Sequence, residues 1–240
     1  MSDFAASSPQ LERNSRQTIE TRAVFDEKST KWDENYAPDG RMSARIGRFV
    51  EQLRKHVPPP APVLDFGCGT GQIARALAKL GWEVTGCDIS KGMLEHASKD
   101  DVRWVELDAA SAPALPFADA AFEAVIASSV LEYVSDPAAS LLELARLIRP
   151  GGWILFTVPD LRHPLIWREE LIRFGIRFAP LWSILRRSRW RVPAASLRVS
   201  INRHSLRWWQ GLLVQSGFKP MPFRRRESPL ALLAAQRRTN

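Results

Sequence analysis

Residues 63–71 read VLDFGCGTG and decide the fold. The apolar run up to Phe66 predicts a short buried strand, and the apolar spacing over residues 72–80 predicts a helix immediately after it. Between them, three alternating glycines permit positive φ angles and leave no Cβ between the backbone and a ligand. Such a loop presents free amides at a helix N-terminus, which is where open α/β sheets bind ligands.

The chain beyond this loop repeats the same alternation. Short apolar runs predict strands at residues 83–87, 102–107, 124–128 and 153–158, and helical spacing predicts helices starting near residue 92 and over 137–147. Strands and helices that alternate through short loops form parallel sheets wound on both faces. The sequence therefore predicts a Rossmann-like, doubly wound α/β fold.

The loop's ligand follows from its carboxylates. A dinucleotide fingerprint needs glycines at relative positions one, three and six, and the sixth position here is Gln72. Asp65 would repel a pyrophosphate and suits an ammonium group. Asp88 ends the second strand, where it can accept hydrogen bonds from ribose hydroxyls, and Asp108 ends the third, where it can receive an adenine amine. We expect a ligand with adenine, ribose and an ammonium group but no phosphate.

These motifs together resemble the class I S-adenosylmethionine-dependent methyltransferases, in particular the small-molecule group that includes the quinone-biosynthesis enzymes. VLDFGCGTG and VTGCDISKGML (residues 84–94) resemble the first two family motifs, and LARLIRPGGWILFTVPD (residues 144–160) resembles the stretch around the fifth strand. Glu123 departs from the family's usual Asp but keeps the charge. The resemblance covers about residues 60–160 and implies a seven-stranded, mostly parallel sheet and S-adenosylmethionine as cofactor.

The resemblance also implies individual site residues. Tyr36 is the candidate aromatic of an N-terminal lid, whereas Trp32 is expected to pack within that lid. The other cofactor-binding candidates are Asp65, Gly67, Gly69, Gly71, Asp88, Ile89, Met93, Asp108, Ala109 and Ser128. Cys68 and Cys87 are expected to be small apolar fillers, and no metal-ligand pattern is visible.

The catalytic group of such an enzyme is less defined. Transfer to a hydroxyl benefits from a general base. The candidates are His163 after the fifth strand, His204 before the last helix, and Tyr133 with Glu132 after the fourth strand. For each histidine, a plain hydrogen bond within a loop remains the alternative. The acceptor is expected to be small and hydrophobic or lipid-like, with methylation at oxygen.

The predicted organisation is a mobile tail (1–20) followed by one domain (21–240). That domain divides into an N-terminal helical lid (21–56), a cofactor-binding core (60–160), a basic aromatic lid insertion (161–200) and a C-terminal helix with strands (201–240). VPPPAP over residues 57–62 marks the linker that ends the lid. Two cysteines and a polar N-terminus without a signal-peptide pattern favour a cytoplasmic protein.

Charge is distributed unevenly along the chain. The formal net charge of +8 arises because residues 160–240 hold 17 basic and 4 acidic side chains, against 17 and 22 in residues 1–159. Within the insertion, an apolar stripe runs from Trp167 to Leu185 beside many arginines and predicts two short helices broken at Gly175 and Pro180. Three readings stay open: a cap that packs its stripe on the domain, a lid that also rests on an anionic membrane, or a nucleic-acid-binding face. The last would make the protein an RNA methyltransferase or a non-catalytic relative, and it is the least favoured because no recognition module is visible.

Overall fold

The central feature of the computed structural model is one sheet of seven strands. The structure describes residues 8–37, 40, 42–97, 102–109, 113–176, 179–222 and 228–239. The strands are β1 (Pro62–Phe66), β2 (Glu83–Asp88), β3 (Arg103–Glu106), β4 (Phe122–Ser128), β5 (Ile148–Pro159), β6 (Phe218–Pro220) and β7 (Leu230–Arg237). Their order is β3-β2-β1-β4-β5-β7-β6, and only β7 runs antiparallel to its neighbours. The predicted seven-stranded, mostly parallel sheet is confirmed.

Helices cover both faces of this sheet. They are α1 (Ser8–Lys28), α2 (Ser43–His56), α3 (Gln72–Ala78), α4 (Lys91–Glu95), α5 (Pro137–Leu147), α6 (Pro164–Ile176), α7 (Ala179–Leu185), α8 (Arg191–Val199) and α9 (Leu206–Gln215). Successive strand residues point to opposite faces. In β1, Leu64 therefore packs into the cluster with α5 and α9, and Val63 packs into the cluster with α2 and α3. This burial on both faces explains why the strands are almost continuously apolar.

The strand order also fixes where a ligand can bind. The chain moves outward from β1 to β2 and β3, then returns to place β4 on the other side of β1. Such a reversal opens a crevice at the carboxyl ends of the two central strands. The glycine loop follows β1, and Ser128 ends β4, so both flank this crevice.

Part of the predicted N-terminal tail is ordered. Residues 8–20, which the sequence analysis assigned to a mobile tail, form the first half of α1, and residues 1–7 lie outside the described part. The side chains of Thr18 and Thr21 are buried, and Gln17 Nε2 donates to the carbonyl oxygens of Val199 (2.7 Å) and Tyr133 (3.3 Å). The buried groups on this helix are polar, and for this reason apolar periodicity did not reveal it.

The stripe from Trp167 to Leu185 lies on two helices, α6 and α7, as the sequence predicted, and the insertion adds a third helix, α8, which was not predicted. Helix α6 continues through Gly175 to Ile176, and Pro180 falls in the first turn of α7, where a missing N–H is tolerated. Helix α8 packs against both α1 and α6. Over the residues that the structure describes, no helix is both long and apolar enough to cross a bilayer.

Candidate functional site

The glycine loop after β1 forms the floor of a large cavity. Gly67 and Cys68 donate their backbone N–H groups to the Cys87 carbonyl oxygen at 2.8 and 3.0 Å, which ties the loop to the end of β2. Gly67 has a φ of 69°, and a Cβ at this position would lie 2.4 Å from Val130 Cγ2. The close approach of backbone and Val130 therefore requires glycine here. Gly67 and Gly69 line the cavity, whereas Gly71 lies behind the loop against Trp104.

Asp88 holds the loop and faces the cavity at the same time. Its two carboxylate oxygens accept hydrogen bonds from the Gly69 N–H and the Ser90 N–H, each at 2.8 Å. Burial raises the pKa of Asp88 to about 6, although these amides oppose the change. The side chain lines the cavity, so its remaining lone pairs are available to a ligand hydroxyl.

Asp65 is the most unusual polar group of the site. It is 1% exposed, and neither carboxylate oxygen has a hydrogen-bond partner. Burial and the nearby Asp88 carboxylate raise the pKa of Asp65 to about 7, while the Ala74 amide opposes this without forming a full hydrogen bond. Asp65 does not itself line the cavity, and because a buried carboxylate without a partner is costly, a nearby cationic group would offset that cost.

The remaining predicted cofactor residues divide into lining and supporting positions. Ile89, Met93, Asp108 and Ser128 line the cavity together with the Asp88 side chain. Met93 is almost fully buried at the start of α4 and presents an apolar surface beside Ile89. Ala109 is 7% exposed and supports the turn after β3 without lining the cavity.

The N-terminal segment contributes a different aromatic residue from the one predicted. Trp32 lines the cavity, and its ring lies beside Gly69, with Lys28 Nζ 5.0 Å from the Trp32 ring centroid. Tyr36 does not line the cavity. Its hydroxyl is hydrogen bonded to Arg45 and Ser128, and burial raises its pKa. The structure thus places Trp32 over the loop and Tyr36 behind it.

The second end of the cavity is built by α1, the insertion and the segment after β4. The whole cavity has a volume of about 780 Å³. Apolar side chains of the insertion dominate this end: Leu165, Ile166, Val192, Pro193 and Leu197. Cavities of this size that are mainly apolar with a few convergent polar groups are typical of small-molecule sites.

An ion network interrupts the apolar lining at this end. Arg203, whose side chain is 5% exposed, contacts Glu169 at 2.7 Å, Glu170 at 3.2 Å and Glu132 at 4.0 Å. Glu132 accepts a hydrogen bond from Ser200 Oγ at 2.8 Å. Burial raises the pKa of Glu132, with Arg203 acting in the opposite direction. Glu132, Glu169 and Arg203 all line the cavity.

Tyr133 is, with Glu132, a predicted catalytic candidate that lines the cavity. Its ring packs edge to face on Phe25 at 5.1 Å between centroids, and both residues line the cavity. Burial, with a further contribution from Glu132, raises the pKa of Tyr133. A phenol with a raised pKa stays protonated, so it suits hydrogen bonding to an acceptor better than proton abstraction.

Neither histidine candidate lines the cavity. His163 Nδ1 accepts a hydrogen bond from the Leu165 N–H at 3.2 Å, which places it at the start of α6. His204 stacks on Trp208 with 3.7 Å between ring centroids, and burial lowers its pKa. Both therefore match the alternative of a local structural contact.

The two cysteines are placed as apolar fillers behind the loop. Burial raises the pKa of the Cys68 and Cys87 thiols, and the nearby Asp88 carboxylate raises both further. Thiols in this state are poor nucleophiles. In the described ranges, no group of three or more His, Cys, Asp and Glu side chains is arranged to hold a metal ion.

Sequence reasoning missed several residues of the site. Arg45 on α2 lines the cavity and donates to Ser128 Oγ at 3.3 Å. Glu169 and Arg203 also line it, and so do Thr18 and Thr21 of α1. The sequence shows an excess of basic residues around Arg203, but no pattern in it indicates that the Arg203 side chain is buried.

Comparisons with known proteins point to one family. A family profile described as a methyltransferase domain matches residues 64–156. A demethylmenaquinone methyltransferase of Corynebacterium kroppenstedtii is 35% identical over an alignment that covers 61% of this chain and 62% of that protein. One of Streptomyces avermitilis is 31% identical, covering 66% of this chain and 70% of that protein. The alignments thus leave about a third of each relative unmatched.

Solved structures show the same fold over nearly the whole chain. The 1,6-didemethyltoxoflavin-N1-methyltransferase of Burkholderia thailandensis, solved with 1,6-didemethyltoxoflavin and S-adenosylhomocysteine bound, has a TM-score of 0.63. It is 16% identical, and the superposition covers 99% of this chain and 93% of that one. At this identity the similarity establishes the fold.

Proposed function

This chain belongs to the class I S-adenosylmethionine-dependent methyltransferases, and we propose that it transfers a methyl group to the oxygen of a small hydrophobic acceptor. The observation that carries the proposal is that one continuous cavity, of about 780 Å³, spans both ends of the site. One end is formed by the glycine loop and Asp88, and the other by apolar side chains of the insertion. A cofactor and an acceptor bound at these ends would meet inside one enclosed space.

The cofactor end fits the parts of S-adenosylmethionine one by one. The partnerless Asp65 carboxylate suits the ammonium group, and Arg45, on the wall beside Ser128, suits the carboxylate. Asp88 can accept hydrogen bonds from the ribose hydroxyls. Ile89 and Met93 offer apolar contact to adenine, whose edge would meet Asp108 and the backbone near Ala109. Gly69 and Trp32 would enclose the ligand from the loop side.

The chain's own contribution to the reaction is mainly orientation. S-adenosylmethionine supplies a methyl group that is already activated by the positive charge on sulfur. Holding two reactants in line can contribute about 7–11 kcal/mol to lowering the barrier. The apolar wall of the insertion excludes water from the acceptor end.

Support for the acceptor class comes from the cavity wall and from the relatives. Helices α6 and α8 contribute mostly aliphatic side chains to the wall, which favour a ring or lipid-like molecule over a sugar or peptide. Some relatives are named demethylmenaquinone methyltransferases. Another, from Alkalilimnicola ehrlichii, is named a ubiquinone biosynthesis O-methyltransferase and is 36% identical over 42% of each chain. We therefore infer that a hydroxylated, prenylated ring is the best-fitting acceptor class.

The outer face of the insertion supports contact with an anionic membrane. Helix α6 buries Ile166 and Ile176 against the domain, yet Trp167, Leu171 and Phe174 are 55–64% exposed on its outer side. Large apolar side chains exposed together on one face commonly mark a surface that contacts a partner or a membrane. The part of the predicted stripe on α6 thus faces outward, whereas Leu185 at the end of α7 is half-buried, and the outward part argues against a cap that packs the whole stripe on the domain.

Exposed basic side chains of the insertion favour an anionic lipid surface. Arg168 follows Trp167 on α6, and Arg186, Arg187 and Arg189 are exposed just after α7. The two carboxylates of the insertion, Glu169 and Glu170, are occupied by Arg203 and Arg173. Aromatic side chains with arginines around them suit the interface between headgroups and acyl chains. Leu165 is half exposed and also lines the cavity, so an acceptor could pass from the bilayer to the site.

Vesicle flotation tests the membrane contact. Each arginine near an anionic surface contributes about 1 kcal/mol, so replacing Arg186, Arg187 and Arg189 by Gln should weaken binding on the order of a hundredfold. Vesicles of phosphatidylglycerol and phosphatidylcholine should retain the wild-type protein, and vesicles of phosphatidylcholine alone should not. Lys79→Gln, which removes an exposed charge at the C-terminal end of α3, is the control. Tight RNA binding at physiological salt without flotation would contradict the membrane contact and favour the nucleic-acid alternative.

Calorimetric titration with S-adenosylmethionine tests the function itself. We expect one site per chain, and competition from S-adenosylhomocysteine. Arg45→Gln should weaken binding because it removes the group that fits the ligand carboxylate. If addition of the cofactor produces no heat and no thermal stabilisation, the proposed function is excluded.

A further inference from the structure

The acceptor end of the cavity holds a charged network in an otherwise apolar wall. Glu132 follows β4, Arg203 precedes α9, and Glu169 lies on α6 of the insertion. All three line the cavity, and the Glu132 and Arg203 side chains are 4% and 5% exposed. Buried charge is costly unless it is paired, and a charged group at a ligand surface is normally there to recognise something.

The pairing of this network leaves an excess of negative charge. Glu170 is engaged by Arg173 Nη1 at 2.9 Å as well as by Arg203. Arg203 thus faces both Glu132 and Glu169, and its shortest contact, 2.7 Å, is to Glu169. Glu132 lies farther from the guanidinium, at 4.0 Å, and keeps a hydrogen bond from Ser200 Oγ. A second anion would be repelled here, whereas a neutral hydrogen-bond donor would be attracted.

We propose that Glu132 and Arg203 form the acceptor-recognition subsite, and that the subsite selects a neutral aromatic or enolic hydroxyl over a carboxylate. The inference rests on the proposed function and names the group that this function would methylate. The hydroxyl donates its proton to Glu132, and Arg203 stabilises the oxygen as negative charge develops. Glu169 is a positioning residue that holds the guanidinium.

The transfer step balances with these groups. The acceptor O–H bond breaks, and its proton is taken up by Glu132. The acceptor oxygen forms a bond to the methyl carbon while the carbon–sulfur bond breaks, and that electron pair stays on sulfur. The products are a methyl ether, a neutral thioether and a protonated Glu132, which returns its proton to solvent after release.

The charges around Glu132 set its response to pH. Arg203, Glu169, Arg45 and the neutral Tyr133 face it from the surrounding elements. Burial raises the pKa of Glu132, and the Ser200 hydrogen bond lowers it. Hydroxyl binding should be tightest when Glu132 is ionised and should weaken as pH falls through this pKa. Ser200→Ala should move that transition to higher pH without removing the carboxylate.

Binding of three naphthalenes tests the subsite without any turnover. The probes are 2-naphthol, 2-methoxynaphthalene and 2-naphthoate, titrated into the full chain both with and without S-adenosylhomocysteine. A hydrogen bond to a charged group should make 2-naphthol bind at least about tenfold tighter than either other probe. Glu132→Gln should reduce this preference to less than about threefold, because the amide no longer offers a charged acceptor. Glu51→Gln, which breaks an exposed pair with Lys55 on α2, should leave the preference unchanged.

The outcomes separate this inference from the proposed function. Unchanged affinity of Glu132→Gln for S-adenosylhomocysteine, together with the lost preference, supports the subsite. A preference that survives in Glu132→Gln, or equal affinity of the wild type for all three probes, overturns it and leaves the methyltransferase assignment intact. If Glu132→Gln does not fold, Ser200→Ala provides the test. A pH transition of 2-naphthol binding that is the same in this variant as in the wild type overturns the inference. Failure of the wild type to bind any cofactor, with the probe preference intact, removes the proposed function and keeps a hydroxyl-binding subsite.

Discussion

Asp88→Asn separates the structural role of this carboxylate from its role in ligand binding. Two effects on stability oppose one another. Raising the pKa of a carboxyl from 3.8 to about 6 costs the folded protein about 3 kcal/mol at pH 7, and the neutral amide removes this cost. Against that, an asparagine can accept only one of the two N–H groups now bound at 2.8 Å, and leaving the other unpaired costs about 1–3 kcal/mol. We therefore expect the Tm to move by only a few degrees.

Cofactor affinity should respond much more strongly to the same change. The ribose hydroxyls would lose a charged hydrogen-bond acceptor, worth about 1.5–3 kcal/mol, so Kd should rise about 10- to 150-fold. Calorimetric titration with S-adenosylhomocysteine measures this, and a thermal melt of the same sample measures stability. Asp136→Asn is the matched control, because Asp136 also accepts two backbone N–H groups, at 2.9 and 3.0 Å, but lies outside the cavity. Affinity of Asp88→Asn within about threefold of wild type would refute the ribose assignment.

Four further predictions concern other contacts. Asp65 and Asp88 have pKa values raised to about 7 and about 6, so the ligand-free protein should lose stability as pH rises from about 4 to 7. Asp65→Asn should make this loss smaller in pH-dependent melts and leave the part that comes from Asp88. An ammonium near Asp65 favours the ionised form of this carboxyl, so cofactor binding near pH 7 should release a proton. Calorimetry in buffers of different ionisation enthalpy detects this release. A binding enthalpy that is the same in all buffers would contradict the ammonium site. Gly71→Ala should lower the Tm by several degrees, because φ is 77° and a Cβ would lie 2.1 Å from the Trp104 ring, and an unchanged Tm would contradict this packing. Gln17→Ala should cost about 1 kcal/mol in unfolding free energy by removing its bond to the Val199 carbonyl, and an unchanged denaturation midpoint would show that α1 does not depend on it.

The parts of the site that lie on the sheet could be predicted from sequence because their positions follow from local pattern. In a doubly wound sheet, the carboxyl ends of neighbouring parallel strands lie close together. The glycine loop, Asp65 and Asp88 are at such strand ends, so their proximity could be predicted. The fold was predictable for the same reason, since each strand and helix has its own periodicity. Burial on both faces explains the largely apolar runs in β1 and β4, which Asp65 and Glu123 interrupt.

The parts that come from other segments could not be predicted in this way. Trp32 and Tyr36 lie four residues apart on the same segment, and only its docking decides that Trp32 covers Gly69 while Tyr36 bonds to Arg45 and Ser128. Pairing of Arg203 with Glu169 depends on how the insertion packs against the start of α9. Sequence position alone therefore favoured His163 and His204, which the structure places in local contacts away from the cavity.

Transfer of a labelled methyl group tests the central claim most directly. The wild-type chain is incubated with methyl-labelled S-adenosylmethionine and a prenylated naphthohydroquinone in phosphatidylglycerol vesicles, and the lipid phase is then extracted and counted. We expect label in the lipid phase as a methyl ether, with much less label from Asp88→Asn at subsaturating cofactor and no less from Asp136→Asn. A lipid phase that remains unlabelled while the protein binds the cofactor, or label that appears in added RNA instead, would contradict it.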